Sequence, residues 1–100
     1  MERGYVYFLM NDRLTVLYIG STANLRERLL QHKRRLIPGF TKKYNVYRLV
    51  YFEEKSTIHQ AVERERQLKG LSRAKKEALI ETVNPERKDL FSSFGGDAKL

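Results

Sequence analysis

A chain of 100 residues without cysteine has room for one modest core and excludes both disulfide staples and thiolate zinc sites. Apolar residues make up 41% and aromatics 11%, the composition of a folded domain, and the longest apolar run, around Val6 to Met10, is far too short to span a bilayer. A balance of 20 Lys and Arg against 12 Asp and Glu leaves +8, and no apolar signal core follows Glu2 and Arg3, so the reading is a cytoplasmic protein without a membrane partner.

Gly4 to Met10 alternates with aromatic and β-branched content, the period of a strand, with Tyr5, Tyr7 and Leu9 on one face and Val6, Phe8 and Met10 on the other. Asn11-Asp12-Arg13 supplies turn chemistry, and Leu14 to Ile19 is a second strand, so the pair predicts an antiparallel hairpin. Gly20 is expected to end that strand where a side chain would be in the way, leaving room for a ligand to approach the backbone.

Ser21 to Asn24 offers N-cap residues for a helix over Leu25 to Leu36, terminated by Pro38-Gly39. Its stripe at 100° per residue is Leu25, Leu29 and Leu36, with His32 in the middle and Arg28 at the edge. Phe40 to Asn45 reads as a basic, aromatic loop. Val46 to Phe52 is a third strand, Val46, Val50 and Phe52 facing away from Tyr47, Leu49 and Tyr51, and Glu53-Glu54-Lys55 leaves the sheet. Ser56 or Thr57 caps a second helix whose stripe is Ile58, Ala61, Val62 and Leu68, completed by Glu65, while Glu63 points to the far side. Gly70 and Ser72 separate it from a third helix, Arg73 to about Thr82, with Leu71, Ala74, Ala78 and Leu79 as its apolar side. The order is β-β-α-β-α-α, an α+β chain over residues 1–91, and 92–100 reads as a flexible tail.

The charge is concentrated. Between Ser21 and Arg48 stand Arg26, Arg28, Lys33, Arg34, Arg35, Lys42, Lys43 and Arg48 against Glu27 alone, a local balance of +7. Such a patch is the footprint of a nucleic acid, because neutralising phosphates releases counterions; a solvated helix face or an anionic membrane is the alternative.

Arg28, His32 and Glu65 occupy positions that face the core, where an unpaired charge costs several kcal/mol. Either Arg28 and Glu65 form a buried ion pair beside a satisfied histidine, or the three line a cleft. Tyr7 and Tyr18 favour the cleft: a phenol beside an arginine is expected to have its pKa lowered, and a carboxylate can hold Mg²⁺ with water and phosphate oxygens. Tyrosine, arginine and a metal-held phosphate together make a site for phosphodiester hydrolysis.

These residues resemble the GIY-YIG nuclease superfamily in its small stand-alone form. Tyr5-Val6-Tyr7 stands at the first motif, and Tyr18-Ile19-Gly20 reproduces the second. Arg28, eight residues after Gly20, matches the catalytic arginine, and His32 a position that is His or Tyr in related nucleases. Ala61-Val62-Glu63-Arg64-Glu65 resembles the metal-binding helix, with Glu65 as the ligand. The resemblance covers roughly Gly4 to Leu90. It implies a three-stranded antiparallel sheet flanked by three helices and an endonuclease that cuts DNA with Mg²⁺ or Mn²⁺. RNA is not excluded as a partner, a protein partner would supply specificity, and the context would be DNA repair or recombination. Tyr7 would be the general base or orient the water, Arg28 would stabilise charge on phosphate, and Tyr18 and His32 would position that phosphate or assist proton transfer. Glu65 would hold the metal. The chain departs from the pattern at Tyr5, where the family has glycine, and at Ser21, where some repair nucleases have lysine. The position of the family asparagine is Glu77, so Asn84, the nearest asparagine, is its candidate substitute. A module of the same fold that binds nucleic acid without cutting is the other reading.

Overall fold

The computed structural model describes residues 3–94. Strands β1 (Gly4–Met10), β2 (Leu17–Thr22) and β3 (Arg48–Lys55) form one antiparallel sheet in the order β2-β1-β3. Helix α1 (Leu25–Lys33) and a short α2 (Phe40–Lys43) lie between β2 and β3; α3 (Ile58–Lys69) and α4 (Arg73–Val83) follow, and a 3₁₀ turn spans Leu90–Phe94. The α+β fold and the antiparallel sheet are as the sequence predicts. Residues 92–94, read as tail, belong to the 3₁₀ turn, and the rest of that tail lies outside the described residues.

Being central, β1 is covered on both faces, which explains its continuous apolar run. Val6, Phe8 and Met10 pack with Ala61, Leu68 and Ile80 of α3 and α4. Tyr7 and Leu9 pack on the opposite face with Leu25, Leu29 and Leu30 of α1 and Phe91 of the 3₁₀ turn. Each large apolar side chain so buried contributes about 1.5–3 kcal/mol. Gly4 lets α3 sit down on the sheet, since a Cβ there would lie 2.6 Å from the Thr57 carbonyl oxygen.

Several local expectations change. The strand β3 continues through Glu53, Glu54 and Lys55, which pair with Val6, Tyr5 and Gly4. Phe8 opposes Tyr51 while Leu9 opposes Leu49, so Val50 is the extra residue of a bulge that breaks the alternation. Val50 and Tyr51 therefore share the α3 face, whereas Leu49 and Phe52 share the α1 face. Val62 falls at the flank of the α3 stripe and is exposed; on α4 the buried residue is Ile80, with Ala74 and Ala78 in solvent.

Helix α1 stops before Pro38. Asn24 caps its start by accepting from the Glu27 amide, and at its end Arg35 takes φ 57°. The Leu36 amide then donates to the Gln31 carbonyl and the Arg35 amide to that of His32, a closing turn that normally uses glycine. Leu36 is thrown out of the apolar stripe and is 65% exposed. Replacing Arg35 by Gly relieves the left-handed strain and should raise stability by about 1 kcal/mol, read as a higher urea midpoint at unchanged slope.

Candidate active site

The site is built around a missing side chain. Gly20 of β2 pairs with Tyr7 of β1, and a Cβ on Gly20 would lie 2.6 Å from the Tyr7 hydroxyl. The Tyr7 ring thus leans across the edge strand through space that only glycine leaves open. The strand does not end there, as the sequence suggested; it continues to Thr22, and the group that closely approaches Gly20 is Tyr7.

Three rings meet on the α1 face. Tyr7 and Tyr18 have centroids 6.3 Å apart, and His32 lies 5.8 Å from each. The Tyr7 hydroxyl is hydrogen-bonded to His32 Nε2 at 3.2 Å, and His32 Nδ1 to Thr41 Oγ1 of α2 at 3.1 Å. The Arg28 guanidinium acts by its charge on the same Tyr7 hydroxyl.

On the other face of β2, Ser21 reaches α3. Its hydroxyl donates to Glu65 Oε1, while Lys69 Nζ holds Oε2 at 2.6 Å. Glu65 also acts on Tyr7 by its charge, raising the pKa of the phenol. A buried Arg28–Glu65 ion pair does not form among the described residues; the carboxylate is taken by Ser21 and Lys69. Glu63 points outward to Arg66.

Electrostatics set the proton states. The pKa of Tyr7 is raised, by burial above all and then by Tyr18; Arg28 pulls it down without overcoming burial. This reverses the lowering expected from the arginine alone, and Tyr7 is a neutral phenol at neutral pH. His32 is pushed down to about 4, by burial and then by the Arg28 charge, so its ring is neutral and can accept a proton.

A metal would find one carboxylate here. No group of three His, Cys, Asp or Glu suited to a metal exists among the described residues. Glu65, with the Ser21 hydroxyl, fits a hard ion that keeps most of its shell as water and phosphate oxygen, provided Lys69 yields the carboxylate.

The GIY-YIG catalytic domain profile matches residues 3–78. The chain belongs to the GIY-YIG family. It is 38% identical over 88 residues to a UPF0213 protein of Syntrophus aciditrophicus, covering 87% of this chain and 99% of that one. A UPF0213 protein of Natronomonas pharaonis is 37% identical over 76 residues, covering 76% and 88%. The solution structure of a UPF0213 protein from Bacillus halodurans superposes with a TM-score of 0.55 at 26% identity, covering 87% and 92%. GIY-YIG proteins are generally nucleases.

Two residues read from the local charge balance as part of a nucleic-acid patch are engaged in ion pairs within the chain. Lys33 is only 15% exposed, pairs with Asp89 at 2.5 Å and lies over the Phe91 ring. Arg48 pairs with Asp12 at 3.0 Å. Arg26, Arg34, Arg35, Lys42 and Lys43 remain exposed. Asn84 donates to the Val50 and Lys88 carbonyls and accepts from the Lys88 amide, closing the end of α4; its carboxamide is fully spent on the main chain. Glu77, at the family asparagine position, pairs with Arg73 and Arg87.

Sequence reading missed Thr41, Lys69 and the contact between Ser21 and Glu65. Lys69 was findable, since it stands four residues after Glu65 on one helix. Thr41 lies in a segment whose composition reads as loop, and only the fold carries it to His32.

Two outcomes follow from this geometry. Gly20→Ala must displace Tyr7 and should destabilise by about 1–3 kcal/mol, with loss of the Tyr7–His32 contact visible in the imidazole NMR signals. His32 binds a proton more weakly folded, at about 4, than at its ordinary 6.5, so the stability it contributes is complete above pH 6.5 and is lost as pH falls towards 4. Urea unfolding at pH 7 and 4.5 should show a decline that His32→Gln reduces.

Proposed function

We propose that the chain is an endonuclease that hydrolyses DNA phosphodiester bonds with a divalent metal, selecting branched or damaged structures in repair or recombination. The observation that carries the reading is the convergence at Gly20 of Tyr7, Tyr18, Arg28 and His32 from one face with Ser21 and Glu65 from the other.

Arg28 holds a phosphate and stabilises the charge that builds on it. Tyr18, whose ring lies against those of Tyr7 and His32, positions that phosphate. Tyr7, a neutral phenol, orients the attacking water and takes its proton as the hydroxyl proton of Tyr7 passes along the 3.2 Å contact to His32 Nε2. Thr41 holds the other ring nitrogen and keeps the imidazole aimed. Glu65, with Ser21, would hold Mg²⁺ or Mn²⁺, which supplies electrostatic stabilisation of the phosphate and leaving oxygens. DNA is tracked by Arg26, Arg34, Arg35, Lys42 and Lys43, and a protein partner supplies further specificity.

A nucleic-acid-binding module that does not cut is the second reading. It draws on one observation, the Lys69 ammonium already seated on Glu65.

Incubation with branched, nicked and linear DNA in Mg²⁺, Mn²⁺ or chelator separates them. For the nuclease, cutting requires metal and falls roughly 10²–10³-fold in Arg28→Ala and Tyr7→Phe. It is lost in Glu65→Gln. Salt-sensitive binding without cutting on any substrate selects the module. Because His32 stays neutral down to about 4, its protonation should place the acid limb of the cutting profile near that value rather than near 6.5.

A further inference from the structure

A cleft beside the site contains Phe40 and Lys76, which none of these roles uses. It lies between β2, α2, α3 and α4, has a volume of about 300 Å³, and is lined by Leu17, Tyr18, Ile19, Phe40, Lys69 and Lys76. Phe40 forms an aromatic wall: it stacks on Tyr18 at 6.1 Å with 26° between planes, leans on Tyr44 at 4.9 Å, and is still 47% exposed. Single exposed aromatics need no explanation, but this one stands in a concavity whose charged lining is two lysines. Lys69 also pairs with Glu65, and Tyr18 lines both, so the cleft adjoins the candidate active site.

We propose that this cleft is a subsite for one unstacked nucleotide next to the bond to be cut, its base laid on Phe40 and its phosphate held by Lys76. The ligand follows from the wall. An aromatic face rewards a flat ring that has lost its own stacking partners, and the lysines complement the phosphate attached to it. Bases inside an intact duplex present no free face, so the subsite takes flaps, bulges and single strands and admits any base. The proposal rests on the nuclease reading for its substrate, and it names what makes that substrate acceptable: an unpaired nucleotide.

The test is binding in chelator, where nothing is cut. Oligonucleotides carrying 2-aminopurine in a single strand, in a one-nucleotide bulge and in a perfect duplex are titrated with the full chain. Wild type should change 2-aminopurine fluorescence in the first two and bind them at least about 10-fold more tightly than the duplex. Phe40→Ala, checked for fold by circular dichroism, should lose about 5–100-fold on the unpaired substrates and little on the duplex, while Phe40→Tyr retains the preference. Lys76→Gln should lower the salt slope by about 1. Equal affinity for paired and unpaired DNA, or an unchanged Phe40→Ala, overturns the subsite. So does displacement of the oligonucleotide by an acidic peptide at similar affinity, which would assign the cleft to a protein. If metal-dependent cutting occurs without preference for unpaired nucleotides, the subsite alone fails; if that preference holds and no substrate is cut, the nuclease reading fails instead.

Discussion

The structure depends on one steric vacancy. Tyr7 sits on the central strand with no exposed surface, yet its hydroxyl must reach the edge of the sheet to meet groups from both faces. It does so because Gly20 on the neighbouring strand has no side chain, the Tyr7 hydroxyl and ring carbon lying 2.6 and 2.7 Å from where a Cβ would be. The sheet otherwise separates α1 from α3. The gap at Gly20 is where the Tyr7 hydroxyl feels the charge of Arg28 from one side and of Glu65 from the other.

Keeping that vacancy from collapsing takes polar burial that a plain core would avoid. His32 is 4% exposed and Thr41 6%, and both are partnered, so the ring nitrogens leave no unmet bond. An unpaired imidazole there would cost on the order of 1–3 kcal/mol. Behind α1, Asp89 accepts from the Leu49 and Phe91 amides and pairs with Lys33, which ties helix, third strand and 3₁₀ turn together. On the outer side, Glu53 receives a forked pair of bonds from Arg64 and one from the Tyr51 hydroxyl. Burial alone would raise the Glu53 pKa, but these bonds hold it at about 2. Both clamps fix the helices that carry the candidate residues.

Periodicity made the sheet and the long helices legible, because burial on two faces and along one stripe writes a pattern of short range. The two faces of β1 and the inward turn of Glu65 rather than Glu63 were readable this way. What escaped was whatever a single extra residue or a left-handed residue decides. The bulge at Val50 reversed the faces of β3, and Arg35 at positive φ cut α1 short of its proline. The proton state of Tyr7 escaped for another reason. Its arginine was visible in sequence, but the depth of burial that outweighs that arginine was not.

Charge counting is misleading in the same way. Eight cations between Ser21 and Arg48 suggest one continuous track, but the fold withdraws Lys33 and Arg48 into ion pairs and turns Arg28 towards Tyr7. It adds instead two lysines from the far end of the chain, Lys69 and Lys76, which composition gives no reason to associate with Tyr18. Positive charge beside the candidate site therefore comes also from α3 and α4, where Lys69 and Lys76 share a cleft with the aromatic pair Tyr18 and Phe40. A polyanion lying across such a surface meets rings where it would otherwise meet only charge, and rings act on bases rather than on phosphates. Local net charge is thus a guide to affinity, while the position of Phe40 bears on which form of the polymer is bound.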